Sequence, residues 1–141
     1  MEYARNVLGI ADADSAEHDT PSQNLIIAPV VCPVPDRAAG APKLSGACKL
    51  RIEPGSRLAA IYGACEIEEE YFCNFEVNPA YRDRFEAAGL RLTAFDDRGE
   101  LRAVELPDHP FFVATLYQPQ LSSTSERPHP LIAAFVAAAS R

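Results

Sequence analysis

Two alternating stretches, Leu90 to Phe95 and Leu101 to Leu106, flank the polar run Asp96-Asp97-Arg98-Gly99. Period-two alternation on both sides of a short turn containing glycine is the signature of a β-hairpin. This feature constrains the chain most. An antiparallel pair with an apolar face must be covered, so the rest of the sequence has to supply layers for it.

The flanking segments supply them in order. Tyr3, Val7 and Leu8 recur at helical spacing, with Gly9 as a C-terminal cap. Met1 falls on this helix with no capping residue ahead of it, which implies a chain that begins inside a larger fold. Asp12 to Asn24 reads as a polar loop, and Leu25 to Val31 as a buried strand. Val34 to Gly46, rich in Pro, Ala and Gly, reads as an exposed loop. Cys48 to Ile52 is a candidate strand halted by Pro54-Gly55, and Ser56 to Tyr62 a helical turn. Glu66 to Val77 is partly strand, weakened by Glu68-Glu69-Glu70. Pro79 opens a helix through Ala88 with Tyr81, Phe85 and Ala88 as its stripe. Phe111 to Tyr117 reads as another buried strand, and Leu131 to Ala139 as a closing helix. Helix, strands, helix, hairpin, strand and helix make an α/β layout with an antiparallel portion. The helices are few for a sheet that needs cover on both faces.

Composition excludes several function classes. The 141 residues fit one domain, and 48% hydrophobic with 23% charged residues describe a soluble globular chain. A formal net charge of −7 argues against nucleic-acid binding, which needs clustered Lys and Arg. No apolar run reaches the roughly 18 residues of a membrane helix, and Met1 to Ile10 has no signal-peptide core, so the expected location is cytoplasmic. Cys32, Cys48, Cys65 and Cys73 include no CxxC pair and read as reduced thiols rather than a zinc site. No cofactor or metal is expected.

Five ordered blocks then coincide with one family. They are EYARNVLGIADADSAEHD (Glu2–Asp19), PGSRLAAIYG (Pro54–Gly63), FEVNPAYRDRFEAAGL (Phe75–Leu90), VELPDHPFFVA (Val104–Ala114) and RPHPL (Arg127–Leu131). Together they resemble the C-terminal class I glutamine amidotransferase domain of CTP synthase, and especially its stand-alone relatives. The resemblance implies the C-terminal portion of a flavodoxin-like α/β domain, a mixed sheet with an antiparallel hairpin flanked by helices. Residues 1–141 would be a single partial domain, without the family's N-terminal strands and nucleophile turn. Such a remainder would expose apolar surface on Leu25–Val31 and Phe111–Tyr117, and the isolated chain is expected to dimerise, aggregate or be marginally stable.

In that family a cysteine attacks the glutamine carboxamide, a histidine activates it, and a glutamate orients the histidine. The His-Pro-Glu motif falls here on Gln118-Pro119-Gln120. Side-chain amides hydrogen-bond but do not titrate near neutral pH, so this pair cannot move a proton to a departing amine. Of the substrate contacts the resemblance implies, the glutamate of Ser-Thr-Glu-Phe is kept as Glu17, whereas an arginine is replaced by Asn74, beside Cys73. Met-Arg-Leu-Gly appears as Cys48-Lys49-Leu50-Arg51. Losing the arginine removes a charge-assisted contact of about 1.5–3 kcal/mol and weakens free glutamine as a ligand. Cys73 is a candidate relocated nucleophile or a structural cysteine, Glu17 a ligand contact or a solvated loop carboxylate, and His109 and His129 are turn residues in X-His-Pro motifs.

The expected function is therefore a catalytically degenerate amidotransferase-like domain that binds a small amino-acid-like ligand or a partner protein. Two alternatives remain at this point. One is an active glutamine-hydrolysing enzyme whose nucleophile lies upstream of Met1, the other a non-catalytic assembly subunit. Implied partners are glutamine or an analogue, a synthetase, or a second copy; no nucleic acid or membrane is expected.

Overall fold

The computed structural model describes residues 1–29 and 44–140. The short helix α1 (Glu2–Asn6) leads to a two-residue strand β1 (Asp14–Ser15), then β2 (Leu25–Pro29). After the undescribed stretch come β3 (Ser45–Ile52), α2 (Arg57–Tyr62), β4 (Glu66–Phe72) and β5 (Phe75–Val77). A 3₁₀ turn, Pro79–Tyr81, feeds α3 (Arg82–Ala87), followed by β6 (Arg91–Asp96), β7 (Leu101–Glu105), β8 (Val113–Thr115) and α4 (Pro130–Ala139). A second 3₁₀ turn, Pro119–Leu121, lies between β8 and α4.

The strands form two sheets. A five-stranded antiparallel sheet runs β4-β3-β6-β7-β8, and a three-stranded mixed sheet runs β1-β2-β5. The hairpin lies where expected, and Asp96 explains why it turns there. Its Oδ1 accepts the backbone N–H groups of Arg98 and Glu100, each at 2.9 Å, and Gly99 takes the positive φ of 79° that the turn needs. Helix ends follow local chemistry as well. Ser56 Oγ accepts from Ala59 N–H at 3.0 Å to cap α2, and Gly63 ends it in the left-handed region at φ 67°.

Two apolar cores result. One gathers Ala4, Ile26, Phe85, Leu90, Leu92 and Leu101 beneath α1 and α3; the other gathers Leu50, Ile52, Leu58, Ala94, Tyr117 and Leu131 beneath α2 and α4. The hairpin serves both because its register shifts between Leu92 and Ala94 and again before Phe95. A bulge interrupts strict alternation, so Leu92 and Ala94, two residues apart, enter different cores. This is how few helices cover both faces.

Several boundaries differ from the sequence reading. Asp12–Asn24 contains β1, whose Asp14 and Ser15 pair with β2. Glu66–Val77 is strand nearly throughout, because Ile67, Glu69 and Tyr71 share one face while Glu66, Glu68 and Glu70 point the other way. The expected buried strand Phe111–Tyr117 shortens to the three-residue edge strand β8, in which Ala114 is exposed. Among the described residues, the large exposed hydrophobics are Phe135, Val136, Val7, Leu121, Phe72, Met1 and Phe112. Phe135 and Val136 lie on α4, Met1 and Val7 flank α1, Phe72 ends β4, Phe112 precedes β8 and Leu121 ends the second 3₁₀ turn; none lies on β2. The readings for residues 30–43, Cys32 included, lie outside the described residues. No helix among the described residues is long and apolar enough to cross a membrane.

Candidate functional site

β4 is the edge of the five-stranded sheet, and the site is built against it. Its outward acids are balanced across the ladder, with Glu68 opposite Lys49 and Glu66 opposite Arg51. Its free edge receives the segment that follows β8: Gln118 N–H donates to Glu70 O at 2.9 Å. The Gln118 side chain continues the pairing, its Nε2 donating to Phe72 O at 3.2 Å. The carboxamide at the motif position thus serves as a latch between the 3₁₀ turn and the strand. Gln120, two residues on, is exposed.

Cys73 and Asn74 form the break between β4 and β5. Cys73 N–H donates to Leu44 O at 3.0 Å, and Leu44 N–H donates to Asn74 Oδ1 at 2.8 Å. The Cys73 thiol is half-buried and accepts from Phe75 N–H at 3.4 Å. Gln118, Cys73 and Asn74 therefore converge at one end of β4. Glu17 does not join them there. It is exposed at the end of β1 in the other sheet, with its N–H bonded to Ser15 Oγ at 3.2 Å.

Beside Cys73 opens a cavity of about 540 Å³. Cys48, Tyr71 and Leu116 contribute apolar lining, while Lys49, Asp97 and Arg98 bring both signs of charge. Arg102 and Asp96 form one wall as an ion pair: Arg102 Nη2 lies 2.7 Å from Asp96 Oδ2 and 3.4 Å from Glu76 Oε2. Burial pushes the Cys48 thiol up, so it is a neutral lining group and not a thiolate.

The residues that sequence reading missed lie just behind this edge. His129, expected as a turn residue, is instead buried and caps α4, its Nδ1 accepting Leu131 N–H at 3.2 Å. Its Nε2 lies 2.8 Å from Glu69 Oε1, which also accepts Tyr62 Oη at 2.6 Å; Tyr117 Oη is 3.2 Å from Tyr62 Oη. The signal was present in the alternation Ile67, Glu69, Tyr71, which turns one acid of the triplet inward. His109 remains a turn residue, its Nδ1 accepting Phe111 N–H. His18 sits at 2.7 Å from Asp14.

Asp14 yields a pH prediction. The Thr20 hydroxyl, the His18 ring and Ser15 N–H hold its carboxyl down at about 2, against an ordinary 3.8. A group lowered on folding stabilises above its ordinary value and ceases to do so as pH falls through the folded one. A ¹³C titration of the Asp14 carboxyl should place its midpoint near 2, and Thr20→Val should move it upward.

Comparison with known proteins gives one consistent result. No family model matches the chain. It is 38% identical over 148 residues to CTP synthase of Brucella melitensis, covering 99% of this chain and 27% of that protein. Against CTP synthase of Bifidobacterium longum the figures are 40% over 147 residues, 99% and 26%. The chain thus spans about a quarter of the length of the curated relatives it matches. In fold it superposes on the glutaminase domain of Trypanosoma brucei CTPS, solved with bound acivicin, with a TM-score of 0.88 at 35% identity, over 99% of this chain and 55% of that one.

Proposed function

We propose that this chain, a relative of the glutaminase domain of CTP synthases in sequence and fold, keeps the amidotransferase scaffold without its proton chemistry and acts by binding. The observation that carries this is the use of Gln118. Its carboxamide is hydrogen-bonded to a strand carbonyl, and Gln120 beside it faces solvent. Hydrolysis of an amide needs a base to generate the nucleophile and an acid to protonate the leaving amine. Neither amide supplies either role. The histidines are engaged elsewhere, His18 with Asp14, His109 with Phe111 N–H and His129 with Glu69.

The ligand class that fits best is a small amino-acid-like zwitterion. The cavity beside Cys73 joins apolar lining to Lys49 and Arg98 on one hand and Asp97 and Glu68 on the other. An ammonium and a carboxylate would each meet an opposite charge there. Glu17 lies in the other sheet, while Asn74, between the lining residues Cys73 and Phe75, holds the lining residue Leu44 through its Oδ1, so the cavity residues, with Cys73, are the ones assigned to binding. A second reading, an assembly subunit with no ligand, draws on the exposed Phe135 and Val136 of α4.

Incubated with glutamine, the chain is expected to release no ammonia above the buffer rate. Calorimetry with glutamine and glutamate should nonetheless detect binding, weakened by Arg98→Ala. Ammonia release by the unaltered chain would overturn the degenerate reading. Absence of binding to either amino acid would favour the assembly subunit.

A further inference from the structure

We propose that the cavity beside Cys73 selects an amino acid with a bulky apolar side chain, aromatic before aliphatic, over glutamine. This rests on the binding role given to the cavity above and adds which ligand it prefers. The cavity exists because the two ladders of β3 end at different places. Pairing with β6 stops at Leu50 opposite Asp96, whereas pairing with β4 runs on to Ser45 opposite Phe72. Beyond Leu50 the strand parts from the hairpin, and Arg102 of β7 and Leu116 after β8 wall the space between. Its volume of about 540 Å³ falls in the range of roughly 300–1,000 Å³ that holds whole drug-sized molecules. That is wider than a slender carboxamide chain needs.

The lining divides into two zones. Half-buried Leu44, Cys48, Tyr71, Cys73, Phe75 and Leu116 form the inner one, and exposed Lys49, Glu68, Asp97 and Arg98 form the rim. With the Arg102–Asp96 pair included, the lining holds three cations (Lys49, Arg98 and Arg102) and three acids (Glu68, Asp96 and Asp97). Such a balance suits a ligand with no net charge, whose ammonium and carboxylate stay at the rim while its side chain enters.

The inner zone is shaped for a ring. Cys48 and Gly46 share one side of β3, so Tyr71, which pairs with Gly46, projects to the same side as Cys48. Gly46 has no side chain to displace the Tyr71 ring, whose nearest atoms stand 3.4–3.6 Å from where a Cβ would be. Both thiols are held in place: Cys48 Sγ donates to Glu69 O at 3.5 Å, and Cys73 Sγ accepts Phe75 N–H at 3.4 Å. Sulfur–ring and ring–ring contacts each contribute beyond the area they bury, which favours an aromatic guest over an aliphatic one.

A carboxamide is served poorly by the same wall. It brings N–H donors and an accepting oxygen. Asp96 is occupied by the N–H groups of Arg98 and Glu100 and by the Arg102 guanidinium, and both thiols are engaged. Among the described residues, the Tyr71 hydroxyl is the one polar side-chain group of the inner zone that makes no hydrogen bond. Glutamine would give up water on entry and regain a single partner. A phenyl ring gives up nothing polar.

Isothermal titration calorimetry of the unaltered chain with phenylalanine, leucine and glutamine tests the order. Phenylalanine is expected to bind about tenfold more tightly than glutamine, with leucine between them. Leu116→Gln puts an amide partner into the inner zone and should remove the preference. Glutamine binding as tightly as phenylalanine would overturn the selection and leave the binding role intact, whereas binding of none of the three would remove both. Leucine ahead of phenylalanine, or a preference that survives in Leu116→Gln, would also sink it. Should that variant not fold, NMR of the unaltered chain decides. The ring protons of bound phenylalanine should show NOEs to the methyl groups of Leu44 and Leu116, and their absence would refute the proposal.

Discussion

Arg102→Met is expected to lower the unfolding free energy by about 3–5 kcal/mol, because it leaves two buried carboxylates facing each other without their cation. Arg102 on β7 donates from Nε and Nη2 to Asp96 Oδ2 at 3.0 and 2.7 Å, and from Nη2 to Glu76 Oε2 at 3.4 Å. Glu76 belongs to β5, so this guanidinium joins the two sheets. Glu76 is 3% exposed and Asp96 9%. Arg98 also approaches both acids, at 3.5 and 4.0 Å, but its half-exposed side chain is screened by water and substitutes poorly.

The same variant should change the pH dependence. Burial alone would raise the Asp96 carboxyl, yet the Arg102 guanidinium and the N–H groups of Glu100 and Arg98 hold it below its ordinary 3.8. In the parent that contribution is present above 3.8 and is lost as pH falls further. Without Arg102 burial would raise the Asp96 carboxyl instead, so mild acidification should return part of the stability. Urea melts at about pH 7.5 and pH 5 test this, the deficit being smaller at the lower pH. An equal deficit at both, or one below about 1 kcal/mol, would mean that the network contributes only packing.

Glu105→Ala should cost about 2–4 kcal/mol by stranding the start of α2. Glu105, 2% exposed on β7, accepts Arg57 N–H at Oε1 (3.1 Å) and Leu58 N–H at Oε2 (3.2 Å). These are free donors of a helix first turn, where a carboxylate is also favoured by the dipole. Arg91 lies 3.6 Å from the same carboxylate. Alanine would leave one buried and one part-buried donor and a cavity at the seam between β7 and α2. Glu105→Gln keeps one acceptor and should recover roughly half of the loss. If both variants melted like the parent by calorimetry, the cap would be dispensable.

The Glu69–His129 contact, the Arg102 network and Glu105 share a feature: each involves a buried acid whose partner lies far away in the chain. Glu69 meets His129, Glu76 meets Arg102, and Glu105 meets the first turn of α2. Local pattern reading treated Glu68-Glu69-Glu70 as a weakness in a strand. The acid that faces inward is what ties that strand to α4.

Much of the architecture was legible from short-range chemistry. The hairpin follows from alternation around Asp96–Gly99, α2 from the Ser56 cap and Gly63, and α4 from Pro130 at its first turn. These signals act over a few residues, so composition and spacing reveal them. The five ordered blocks likewise pointed to a glutaminase-domain relative, and the fold comparison agrees.

By itself, the sequence determined the order of most helices and strands (β1 excepted), the hairpin turn and the amides at Gln118 and Gln120, since all three depend on which residues stand next to one another. Only the tertiary structure decided that Gln118 latches onto Phe72, that a bulge sends Leu92 and Ala94 into separate cores, and that three inward acids find their partners. Those outcomes depend on contacts between residues tens of positions apart, and the energy of burying a charge is defined only once its distant partner is in place.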